Sequence, residues 1–489
     1  MMIDLTAQES IDYLNKQVKD ASDRLELNER LYDIYEGALL NELMSALYDD
    51  LGESSSEQAR TRAVPINILR QIINKLSQIY QNTPRRSIDP ENQSELELLE
   101  YYESKFNINP KLNYNNELQN LFGYSFQQVV LNKGKPTTRA IPNHSFVPVN
   151  LNPKDPTEAN VIILLMGKSS DSSGANEVDI RWAWSDEQFV IFDSQGELRP
   201  DIMAEKMQID FEQIDFVNPY GRIPGQYLTI SQNSVMPKPR ADLLQLSLLI
   251  PMLLTDLNFA TKFSIFSILY GIDVNDENLK MSPAVFWRFK SDPNSDKKPE
   301  IGSIKPDVDI DKVLNLASTE LALWLQSLGI RPGAVGKLDG DNFASGISKV
   351  IDEADILDHQ SKQTEIYKAF ESEFWDTVLK YVHPIWSIND QFDPLAPNTL
   401  FNMNSNVITV FTKKIPFHSR GALAKDYMVE IEGGLISRKE VMRRLNPELS
   451  EAKIEEIQQE IDEEKKQAVE ALVVGNSPFE PVDDEEDDG

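Results

Sequence analysis

Three observations predict an α+β protein that is mostly helical and built of several domains. Apolar residues recur at helical spacing through both ends of the chain. A central stretch breaks into short β-branched and aromatic segments separated by Asn, Asp, Gly, Pro and Ser. A glycine-rich segment then parts two long helical runs. The length of 489 residues agrees with roughly two to four domains.

The elements follow in order. Thr6 and Glu9 have the spacing of a capping box, and Leu14, Leu25, Leu31, Ile34, Tyr35, Leu39, Leu40, Met44 and Leu47 continue a helical pattern to about residue 50. Gly52 to Ser56 interrupts it. A second helix is expected after Pro65, with Ile68, Ile72, Leu76, Ile79 and Tyr80 on one face and a stop before Pro84. Further helices are expected over 94–106 and 115–131. Strands are expected over 161–166, 178–184, 189–192 and 226–230. Ala241 to Tyr270 reads as one helix that continues through Pro251 with a kink. Ala284–Phe289 and Ile301–Ile304 read as strands of a small unit, with the charged turn Asp292–Lys298 between them. Asp309 or Asp311 can cap the next helix, Val313 to Leu328. Gly329 to Gly346 holds five glycines and a proline, which demands an irregular loop. A long helix from Ile347 to Val382 carries a polar patch, Asp358 to Glu365, that suggests passage from one core to another. A strand at 407–411, a helix at 421–432, a helix capped by Ser437 with Glu440, and a charged helix at 449–471 complete the chain. The acidic tail, 476–489, cannot form a core.

Composition narrows the function. Lys and Arg total 48 against 79 Asp and Glu, a formal charge of −31. That excess argues against wrapping DNA or lying on an anionic membrane, and leaves room for a protein that lets DNA pass without holding it. The absence of cysteine excludes disulfides, thiolate metal sites and cysteine nucleophiles. Leu243 to Thr255 is too short to span a bilayer, and no secretory signal opens the chain, so the expectation is a soluble cytoplasmic protein. Gly336-Lys337 could end a phosphate-binding loop, but Arg331 stands where its first glycine belongs and Leu338 where Ser or Thr belongs. Asp339-Gly340-Asp341 starts like a calcium loop, yet Ala344 and Val350 occupy its essential glycine and glutamate positions. His144, His359, His383 and His418 share no metal-ligand spacing. No cofactor is expected, and an enzyme is the less favoured reading. Phe286-Trp287-Arg288-Phe289-Lys290 admits three readings: a base-stacking platform, an edge strand over a core, or a protein contact.

The order of elements resembles the portal (connector) proteins of tailed bacteriophages. Arg30-Leu31-Tyr32-Asp33-Ile34-Tyr35-Glu36-Gly37 resembles their early segment, and Asn67 through Tyr80 to Pro84 the helix that follows, without its usual glycine before proline. Asn218-Pro219-Tyr220-Gly221-Arg222-Ile223-Pro224 is similar to the turn ahead of their stem. Gly340-Asp341-Asn342-Phe343-Ala344-Ser345-Gly346-Ile347 resembles the Ser-Gly junction between channel loop and long helix, and Gly433-Gly434-Leu435-Ile436-Ser437 the start of their last helical region.

The resemblance implies a portal-type subunit with a wing over 1–235 and 347–433, stem helices over 236–270 and 308–328, a small α/β clip over 271–307, a tunnel loop over 329–346 and a crown over 434–475. It implies a ring, in this family a dodecamer, at one capsid vertex of the virion, assembled in the host bacterial cytoplasm. The ring would be the conduit for packaging and ejection of double-stranded DNA, which passes through non-specifically. Expected partners are the terminase motor, head–tail adaptors, the major capsid protein and scaffold protein. Arg331, Lys337, Asp339, Asp341 and Asn342 would face the channel. Trp287, Arg288, Lys290, Lys297 and Lys298 would meet terminase or adaptor at the clip. The alternatives are a non-phage acidic helical scaffold or adaptor, which would not form rings, and an enzyme whose site carries no recognisable motif.

Overall fold

A computed structural model of the chain describes residues 4–51, 63–170, 176–207, 214–266, 268–272, 300–304, 309–327, 353–411, 427–431, 433–445 and 453–463. The protein is mixed α and β, with helices outweighing strands. It divides into two compact units: Met1–Ile79 with Ser87–Ile408, and Tyr80–Arg86 with Thr409–Gly489.

The first unit opens with α1 (Gln8–Asp20) and α2 (Ser22–Asp33). The expected capping box does not form. Asp4 takes both the amide and the hydroxyl of Thr6, at 3.0 and 2.7 Å, so Ala7 stands at the cap without a side-chain bond. A π-helical turn, Ile34–Ala38, joins α2 to α3 (Leu39–Leu51), and Gly37 sits in it at φ +123°, a region that a Cβ disfavours. Asn67 fixes this turn. Its amide donates to the Ile34 carbonyl at 2.5 Å, while its oxygen caps α4 (Ile68–Leu76) by accepting the Arg70 N–H at 2.9 Å. Ile79 and Tyr80 are buried as expected, but they follow the end of α4 rather than extending it.

The strand β1 (Arg85–Asp89) leads to α5 (Gln93–Phe106) and α6 (Ile108–Phe122). A helix over 115–131 is not what forms. Gly123 at φ +83° ends α6, and the aromatic and β-branched run beyond it becomes β2 (Tyr124–Asn132). β2 pairs antiparallel with β3 (Lys135–Ile141). Four strands, β4 (Phe146–Val149), β5 (Val161–Ser170), β6 (Glu177–Trp184) and β7 (Phe189–Asp193), make an antiparallel sheet in sequence order. One face packs on Ile11, Leu14 and Val18 of α1. The other gives Phe146, Ile162 and Leu164 to the main core, so β5 is apolar on both faces where a two-sided burial requires it. After α7 (Pro200–Met207), β8 (Gly225–Thr229) closes a second sheet in the order β3-β2-β8.

Two long helices follow, α8 (Ala241–Phe266) and α9 (Ile310–Ser327), with β9 (Ile268–Ile272) and β10 (Glu300–Ile304) between them. The long helix expected over 347–382 is described from Glu353: α10 (Glu353–Asp376), a π-helical segment Thr377–Val382 and α11 (His383–Ser387). Its polar patch does not cross solvent between cores. Gln363, 4% exposed, accepts from Asn116 at 3.1 Å and donates to Gln119 at 3.3 Å, and Tyr367 donates to Asn115 at 2.9 Å. Buried carboxamides on α6 thus answer Gln363 and, one turn on, Tyr367 of α10. Beyond this ladder the contact turns aromatic, with Phe106 stacked on Trp375 and Tyr102 against His383. β11 (Asn406–Val410) pairs with β1.

In the second unit Ser437 caps α12 (Arg438–Leu445) by accepting the Glu440 N–H at 3.2 Å, as its spacing with Glu440 predicts. The helical segment 453–463 answers it through a Lys439–Glu455 ion pair of 2.5 Å.

Candidate assembly surface on a helical hairpin

α8 is apolar almost all round: Leu243, Leu244, Ile250 and Leu254 are buried in the main core, while Leu246, Leu248, Leu253 and Leu257 are only partly covered and Leu249 is exposed. A helix of that composition is covered on all sides in a stable assembly. Pro251 lies within the helix without ending it. Near it, the Thr255 hydroxyl donates to the Pro251 carbonyl at 2.7 Å and accepts the Val64 N–H at 3.1 Å, which ties the helix to the segment before α4.

The strand pair sets the hairpin. The expected helix to Tyr270 ends at Phe266, because Ile268 to Ile272 pairs antiparallel with Glu300 to Ile304. The returning strand at 301–304 is therefore present, with 268–272 as its partner. The other expected strand, 284–289, lies outside the described residues. Asp309 caps α9: its carboxylate accepts the Lys312 N–H at 3.1 Å and pairs with its ammonium at 2.9 Å. Those bonds hold the Asp309 carboxyl below its usual range and raise Lys312. Leu314, Ala317, Leu321, Trp324 and Leu325 turn inward. Leu316 and Leu323, two turns apart, are 48% and 56% exposed on the opposite side. Among the described residues, both helices thus present exposed leucines, Leu249 on α8 and Leu316 and Leu323 on α9.

The turn ahead of the hairpin is heavily bonded. Asn218 donates to the carbonyls of Ser185 and Arg222 at 2.8 and 2.9 Å, and Asp186 accepts the Ile223 N–H at 2.9 Å. Arg222 pairs with Glu373 and lies 5.5 Å from the Tyr381 ring, and Trp386 donates to the Tyr220 hydroxyl at 3.1 Å. A cleft of about 250 Å³ opens beside it, lined by Phe126, Glu158, Asp186, Arg222 and Tyr227 among others. Asp186 and Arg222 are already engaged in holding the turn.

All ten residues singled out for the channel and for terminase or adaptor contact lie outside the described residues: Arg331, Lys337, Asp339, Asp341, Asn342, Trp287, Arg288, Lys290, Lys297 and Lys298. The acidic tail lies outside them too. Among the described residues, no cluster of three or more His, Asp or Glu could hold a metal ion, and no helix is long and apolar enough to cross a membrane. The exposed leucines of α9 escaped sequence reasoning, since its apolar positions look alike until the core chooses one side. No protein-family model matches the chain, and no curated protein is significantly similar to it in sequence.

Proposed function

We propose that this chain is a portal-type subunit that assembles into a ring, serving as conduit for viral DNA and as docking site for a packaging motor and head–tail adaptors. The observation that carries the reading is the α8–α9 hairpin, tied by the β9–β10 pair, with leucines uncovered on both helices. Uncovered apolar surface of that kind finds its partner in another chain. Repeated head to tail around an axis, such contacts close a ring. The net charge of −31 suits a channel that must not retain DNA, because each held phosphate would slow its passage. On this reading 271–307 is the clip, 329–346 the tunnel loop, and no catalytic group is required.

The test is negative-stain imaging of the purified protein, with mass measurement under reducing and chelating conditions. Rings with a central hole and the mass of a large cyclic oligomer are expected. A stable monomer or dimer, with no ring even beside capsid partners, overturns the reading in favour of an acidic scaffold or adaptor.

A further inference from the structure

The chain is acidic overall, yet some stretches run the other way: residues 58–88 have six cations and no carboxylate, and a second such stretch follows. Between Lys105 and Lys154 it has six cations and a single carboxylate, Glu117. Four of those cations come together at one edge of the β3-β2-β8 sheet, where β3 is the outer strand. Lys135, Thr137 and Arg139 alternate onto one face of β3, which places Lys135 and Arg139 about 13 Å apart. Lys111 of α6 fills the gap, its ammonium donating to the Thr137 hydroxyl at 2.8 Å. Lys133 stands exposed in the turn at the end of the row.

The row is rigid and unneutralised. Arg139 is held by the Gln128 side-chain oxygen at 3.0 Å, so Lys111 and Arg139 are both positioned by neutral acceptors. Among the described residues, none of the four has a carboxylate within ion-pair distance. Burial lowers the pKa of Lys111 and of Arg139, with no neighbouring acid to offset it. Asp393 lies beside the turn, since its N–H donates to the Gly134 carbonyl. Its carboxylate is taken up by Lys105 at 2.6 Å and the Tyr101 hydroxyl at 3.0 Å. Gly134 seats the turn against that loop: at φ +76°, a Cβ there would lie 1.8 Å from the Gln391 carbonyl oxygen.

We infer that this β3 edge is a docking surface for the phosphate backbone of duplex nucleic acid. A duplex carries one charge per about 1.7 Å of axis, so a row of this length meets several phosphates at once. Such contacts position a duplex without reading sequence. An acidic protein is the rival occupant, and the surface does not favour it. Ile388 and Leu395 are exposed in the loop beside Gly134, but the row itself is three lysines and an arginine with no ion-paired carboxylate, and lysine is depleted at protein interfaces while it is a common phosphate contact. The inference is independent of ring assembly.

The test measures binding of the full chain to a mixed-sequence DNA duplex by fluorescence anisotropy across a salt series. The Lys133→Glu/Lys135→Glu variant changes two exposed residues, so an unaltered thermal midpoint will confirm its fold. It should bind about tenfold or more weakly, with a log–log salt slope smaller by about two. Lys16→Glu/Lys19→Glu on α1 makes the same charge change away from the edge and should bind like the parent chain. Parent chain that fails to bind duplex near 50 mM salt, or variants that lose binding equally, overturn the proposal. Tighter binding of polyglutamate than of duplex assigns the edge to an acidic protein and overturns it as well.

Discussion

Tyr102 and His383 meet in the aromatic core of the first unit. The Thr399 carbonyl lies 3.1 Å from Nε2 of the imidazole, so that nitrogen carries the proton and Nδ1 accepts from the Tyr102 hydroxyl at 2.9 Å. Burial holds the His383 pKa below 6.5 despite that carbonyl, and Phe392 covers another side of the ring. The sign follows directly. A depressed histidine contributes stability above its unfolded pKa, and the contribution is lost as pH falls through the imidazole range. His383→Phe leaves a buried hydroxyl and carbonyl unpaired, so it should cost about 2–4 kcal/mol near pH 7.5. The deficit should narrow near pH 5.5, where the parent chain itself pays to protonate the ring. Urea denaturation at the two pH values measures both, and a deficit that widens on acidification contradicts the assignment. From sequence, His383 was one of four scattered histidines, because its partners come from α5 and from a loop sixteen residues on.

At the scale of elements, helices with a clear stripe and a cap were legible: Gln93–Phe106 and the Ser437-capped α12 lie where spacing puts them. Boundaries failed where a local signal met a stronger tertiary one. Leu118 and Leu121 suited a helix running on to Leu131, but Gly123 takes a left-handed conformation and β2 is claimed by strands on both its sides. Likewise β9 is drawn out of the end of a helix by β10. The candidate site was legible only as a pair of apolar helices, since which leucines remain uncovered depends on the whole core. Leu316→Gln with Leu323→Gln tests the consequence. Both sites are half exposed, so the subunit should keep its unfolding free energy within about 0.5 kcal/mol of the parent per substitution. Sedimentation should show the loss of large oligomers. Unchanged assembly would move the contact to another surface.

At the scale of the molecule, two charge regimes share one chain. The overall −31 repels polyanions at a distance, while the β3 edge offers a short cationic row at close range. The attraction of the row acts at close range and releases counterions, so duplex binding should be present near 50 mM salt and weaken steadily as salt rises. The two-unit division was not legible, because residues 80–86 join a unit whose remainder starts at Thr409. Sequence proximity gives no hint of such a partnership.

That pairing of distant segments has a consequence in time. The Glu95 carboxylate accepts the Asn402 N–H across 307 residues, and β1 must likewise wait for β11. At ribosomal speeds of about 5–20 residues per second, the early partner emerges some 15–60 s before the late one. For that interval β1 is a free strand edge, and its termini of Arg85, Arg86 and Asp89 supply the charges that discourage wrong pairing. Pulse-labelled hydrogen exchange during refolding should find β1 amides protected after those of the contiguous β5–β6–β7 meander. Simultaneous protection would mean that the two ends of the chain find each other while the middle is being built.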